Sequence, residues 1–202
     1  MKRNTLLLLL IIVLLVVAAF LFVDFRVSQQ TMAVNSTAGR YTVGIESGDA
    51  IPAGRPLDLY VVAPQWLAPQ LEEALAEALD ENPYIGQLSV QQGPLHAASG
   101  SVLVVRVDGP ATALWTPLYT RAVAQAKMAY ALNGEVDWID VTPVVMESGD
   151  PPQPDVRIDA TLDLEGSGYG LISRPGYFSY LAGEIATQIN TVLKTQLSGA
   201  GL

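Results

Sequence analysis

The stretch from Thr5 to Val23, TLLLLLIIVLLVVAAFLFV, constrains this chain most, because it holds no charged residue. About 20 apolar residues in a helix match the thickness of a bilayer's hydrocarbon core. The run is longer than the apolar part of a cleaved secretory signal, and Phe20, Leu21, Phe22 and Val23 stand where a cleavage site needs small residues. Lys2 and Arg3 precede it, and basic residues favour the cytoplasmic side. The sequence therefore predicts residues 1–4 as a cytoplasmic N-terminus and 5–23 as a transmembrane signal-anchor helix. Residues 24–40 read as a linker or stalk, 41–198 as an extracytoplasmic domain, and 199–202 as a tail. On this reading the protein is a single-pass protein of the cell membrane, with its domain outside and the membrane as a partner through the N-terminal helix.

Beyond residue 40 the pattern is that of one α+β domain. Leu57 to Ala63 reads as a strand. Leu67, Leu71, Leu75 and Leu79 recur at helical spacing, with Glu72, Glu73, Glu77 and Asp80 mostly opposite. Asn82-Pro83 stops that helix, since a residue before proline avoids the α region. Tyr84 to Gln91 gives a second strand, so the unit is strand–helix–strand with a crossover. SVLVVRVDG from Ser101 is apolar on both alternations, as in a central strand.

Arg121 to Leu132 is alanine-rich, yet its apolar residues keep period two. Asn133-Gly134 is a strong hairpin signal. A long strand is expected there, with a return strand through Val145 that places Lys127 opposite Asp140 and Ala129 opposite Trp138. Residues 156–165 alternate, with Asp159, Asp163 and Glu165 on an outward, solvated face. A last helix runs from about Gly176 to Leu197. The expected fold is a transmembrane helix followed by a mixed, mostly antiparallel sheet with two helices on one face.

The net charge is −9, which disfavours nucleic acid as a partner. There is no cysteine, so disulfides, thiol catalysis and thiolate metal sites are excluded. Gly166, Ser167, Gly168 and Gly170 form EGSGYG. A dinucleotide cradle needs G-x-G-x-x-G and a nucleophile elbow needs G-x-S-x-G. Neither is present, so the glycines read as a bend before a helix capped near Ser173.

No residue is assigned a catalytic, cofactor-binding or metal-binding role. His96, the single histidine, supplies the rival reading, a membrane-tethered hydrolase that pairs it with a serine. The favoured reading is a non-catalytic binding or scaffold module of the cell envelope, accessory to a transport or assembly complex. Its protein partner would meet an aromatic surface drawn from Trp66, Trp115, Trp138, Tyr177 and Tyr180.

Overall fold

The computed structural model describes residues 3–42, 51–92, 100–133 and 155–199, with side chains described throughout except at 3–6 and 108–111. In chain order the elements are α1 (Arg3–Phe22), β1 (Arg26–Thr42), β2 (Arg55–Val62), α2 (Ala68–Asp80), β3 (Ile85–Gln91), β4 (Ser101–Trp115), β5 (Tyr119–Leu132), β6 (Val156–Ile172) and α3 (Arg174–Leu197). The six strands form one sheet in the order β1-β6-β5-β4-β2-β3. β1/β6, β6/β5 and β5/β4 are antiparallel, whereas β4/β2 and β2/β3 are parallel. The class is α+β, with a mixed sheet and the helices on one face.

The sequence explains why that face is covered. Leu67, Leu71, Leu75 and Leu79 are all fully buried and share one core with Ile185, Ile189 and Leu193 of α3. Alternate strand residues meet them, among them Leu59, Leu103, Tyr130 and Ile158, which lie side by side across four strands. Each fully buried leucine contributes roughly 1.5–3 kcal/mol of transfer free energy. Two asparagines join the helices. Asn82 Nδ2 donates to Asn190 Oδ1 at 2.8 Å, and Asn190 Nδ2 donates to the carbonyl of Ala78 at 2.7 Å, which satisfies an open carbonyl in the last turn of α2. The opposite face holds a smaller buried cluster of Tyr60, Val102, Val104, Ala129 and Ala131.

Four expectations need correction. The first is the anchor: among the described residues no helix is long and apolar enough to cross a membrane. α1 is apolar, and Leu7 to Val17 are exposed. The membrane-anchored function, the single-pass topology, the membrane location and the membrane as partner all rested on that span and fall with it.

The second is the stalk. Residues 26–42 form the edge strand β1, paired without interruption along all of β6. Their polarity belongs to a strand that contacts the core through partly buried Met32, Val34 and Ala38 only.

The third concerns the hairpin. β5 is a strand as expected, but β4 and β6 flank it, so Lys127 faces Arg106 on one side and Thr161 on the other. No edge of β5 is left for residues 135–145. Those residues, Trp138 and Asp140 included, lie outside the described residues. Asn133 does adopt a positive φ of 53°, as a tight turn requires.

The fourth is the glycine-rich bend. β6 runs straight through it, pairing Gly166, Ser167 and Gly168 with β1 and β5 at once. Only Gly170 has a positive φ, 117°. Gly166 and Gly168 are there for space. A Cβ on Gly166 would lie 2.7 Å from Met32 Sδ, and one on Gly168 would overlap the Gln30 amide. That amide crosses Gly168 to accept from Thr120 Oγ1 at 2.8 Å, joining three strands.

Candidate functional site

The start of α3 is tied to the start of β1 by one side chain. Ser173 is fully buried and caps α3, accepting from Gly176 N at 3.1 Å. Its Oγ also accepts from Phe25 N at 3.0 Å and donates to Phe25 O at 3.0 Å. A hydroxyl offers one donor and two acceptor sites, and all three are used here. Gly176 permits the close approach, since a Cβ there would sit 2.7 Å from both Asp24 Oδ1 and Phe25 O.

This junction forms one wall of a groove of ≈ 370 Å³ between the head of β1 and α3. Asp24 and Arg26 line one side, and Ser179, Tyr180, Gly183, Glu184 and Thr187 of α3 line the other. Ser179 Oγ donates to Asp24 Oδ2 at 3.3 Å. The Arg26 guanidinium lies 5.0 Å from the centroid of the Tyr180 ring, within range of a cation–π contact. Burial raises the pKa of the Tyr180 phenol and the Glu184 carboxylate adds to the rise, while Arg26 opposes them. Tyr180 therefore stays neutral and presents a hydroxyl. A Cβ at Gly183 would meet nothing within 4 Å, so α3 shows bare backbone at the groove. A glycine inside a helix costs roughly 0.5–1 kcal/mol relative to alanine, so this opening is kept at some expense.

The aromatic residues singled out from the sequence part company here. Trp66 stacks on Phe178 at 4.8 Å and packs against the core. Trp115 is partly buried, and its Nε1 donates to the carbonyl of Ile172 at 3.1 Å. Tyr177 is 2% exposed. Tyr180 alone of the described four reaches the groove. Trp138 and His96 lie outside the described residues. Glu184 is half-buried in the groove wall. Sequence reading missed Asp24, Arg26 and Gly183. A glycine at helical spacing from Gly176, on the same face as Tyr180, was the signal available.

The Asp159, Asp163 and Glu165 face is not uniformly solvated. Asp163 accepts from Gln125 Nε2 at 2.7 Å and Glu165 pairs with Arg121 at 3.2 Å. Asp159 is held by Arg157 Nε at 2.9 and 3.1 Å, in a pair only about a tenth exposed. Among the described residues no group of three or more acidic or histidine side chains is placed to hold a metal ion.

No family model matches the sequence, and no curated protein matches it. Two solved structures of the PelC dodecamer from Paraburkholderia phytofirmans are similar to the chain, one of them an L103M variant. Their identities are 11% and 12%, with 81% of this chain and 98% and 99% of theirs covered. Both have a TM-score of 0.38, a level of likeness that adds nothing to the geometry described above.

Proposed function

We propose that this chain is a non-catalytic module that binds a protein partner, and that a basic side chain of the partner enters the groove beside α3. The groove carries the reading. Among the described residues that line it, Asp24 and Glu184 face a single cation, Arg26, which already stacks on Tyr180. The balance favours an incoming positive charge, and the bare backbone at Gly183 leaves room for its alkyl stem. The nearby hydroxyls support a non-catalytic role because their bonds are structural. Ser173 has all three sites engaged, and Thr120 is committed to Gln30. Ser167 sits in mid-strand between two neighbours.

The test is a photo-crosslinking residue in place of Thr187, at the exposed rim, in the native host. A discrete protein adduct is expected, and it should disappear when Gly183→Trp fills the groove or Glu184→Lys reverses its charge. An adduct indifferent to both changes would reject the groove as the docking site. Absence of any adduct, with the protein folded and abundant, would reject the binding role.

A further inference from the structure

The two edges of the sheet are treated differently. β3, on one side, has 7 residues. β1, on the other, has 17 and, among the described residues, pairs with β6 alone. An edge strand offers unpaired N–H and C=O groups, and proteins usually blunt it by shortness, lysine, proline or a bulge. RVSQQTMAVNSTAGRYT contains no proline, lysine or acid, its register with β6 is unbroken, and its charges are confined to Arg26 and Arg40 near the two ends.

Which backbone groups face outward follows from the ladder. Ser173 N donates to Phe25 O, while Gly170 N and Ile172 N donate away from β1, to Leu118 and Pro117. Antiparallel bonding alternates residue by residue. Odd-numbered residues of β1 therefore bond β6, and even-numbered residues from Arg26 to Thr42 point their N–H and C=O groups outward.

We infer that β1 pairs antiparallel with β1 of a second copy of this chain, centred on Val34, to make one continuous twelve-stranded sheet. The sequence of β1 fits itself in this register. Val34 meets its own copy, Thr31 meets Thr37, and the exposed Val27 meets the exposed Tyr41 at each end. Even residues face even residues, as the outward groups demand. Arg26 falls opposite Thr42, and Arg40 opposite Ser28. Moving the centre by one residue, to Ala33, keeps even against even but sets Arg26 against Arg40 twice, and like charges directly opposite are destabilising. Moving it to Asn35 leaves Arg26 without a partner residue in the strand. Two like charges at this spacing thus select a register as well as a partner. The pairing axis stands perpendicular to the sheet, so both copies keep their helices on the same face. This surface meets the partner groove at Arg26, at one end of the strand, and the inference does not depend on the groove.

The absence of cysteine makes the test clean. The full chain is used, with a mild detergent so that the exposed face of α1 does not itself cause association. Sedimentation should give a dimer. Under mild oxidation, Thr31→Cys mixed with Thr37→Cys should cross-link, whereas either variant alone should not, because each residue faces the other and not itself. Ser28→Arg, which places arginine against Arg40 at both ends, should weaken the dimer about two- to thirty-fold, and Ser28→Glu should tighten it by a similar factor. Ser36→Pro removes only an outward N–H and should yield a monomer with unchanged helix and strand content. Should that variant fail to fold, the opposed Ser28 effects decide. A full chain that stays monomeric at about 100 μM overturns the inference. So does a dimer in which the mixed cysteines do not cross-link, or one indifferent to charge at residue 28.

Discussion

Two arginine–carboxylate pairs sit on the same face of the sheet, and they illustrate how little chemistry alone decides. Arg121 and Glu165 approach to 3.2 Å with side chains 57% and 68% exposed. Arg157 and Asp159 approach to 2.9 Å at 10% and 11%. Water screens the first pair, and such pairs contribute about 0–1 kcal/mol. The second lies near Ala129 and Ala131, which are fully buried. Both its charges have left water, so each depends on the other. Burial raises the Asp159 pKa even though Arg157 pulls it down. Breaking such a pair leaves a buried charge without compensation.

The largest test of this contrast is Asp159→Asn. It should cost about 3–5 kcal/mol in chemical denaturation, because Arg157 stays charged and buried. The double change Arg157→Met with Asp159→Asn should cost less than Asp159→Asn alone. If the single variant proves mild, the pair is wetter than its exposure indicates and the two pairs are alike after all.

Ser173→Ala extends the contrast to a neutral group. It removes a helix cap and strands the Phe25 N–H in a partly buried site. About 2–3 kcal/mol should be lost, measured as a lowered melting temperature. Ser179→Ala, at an exposed position nearly two turns on, should cost little by the same measure.

Tyr177 adds a pH dependence. Burial pushes its pKa up from 10.0 to about 12. The unfolded phenol ionises near pH 10 while the folded one stays protonated, so the folded state binds more protons between those values. Stability should fall as pH rises from about 10 towards 12, by roughly 1.4 kcal/mol per pH unit. The Tyr177 hydroxyl is buried without a hydrogen-bond partner among the described residues, so Tyr177→Phe should keep the fold and remove this loss. An unchanged alkaline transition in that variant would assign the loss to another group. The smallest effect is expected for Glu165→Gln, below about 1 kcal/mol and smaller still in salt.

Where apolar period and burial agreed, the elements could be read from the sequence. The leucines of α2, the alternation in β5 and the Ser173 cap all reflect local rules, and all are found. β1 was missed for a physical reason. Among the described residues one edge of it is unpaired, and only part of one face touches the core, so its hydrophobic alternation is weak. β6 was read as ending at its glycines because glycine suits a bend. Here it is needed under the side chains of Gln30 and Met32, which come from the far end of the chain and leave no local trace. The groove was half legible. Tyr180 was named as an aromatic residue, but Asp24 and Arg26 join it only because Ser173 binds Phe25. A bond between residues so far apart in sequence leaves no pattern in either neighbourhood.

The pairing of β1 with β6 also sets the order in which the protein can assemble. Thr42 must wait for Val156, and Arg26 for Ile172. Contacts of such long sequence separation slow folding, because loop closure precedes any gain from pairing. At a synthesis rate of about 5–20 residues per second, β1 spends several seconds or more without its partner while the rest of the sheet is made. The first strand to leave the ribosome is thus among the last to find its place, and during that interval both of its edges are open.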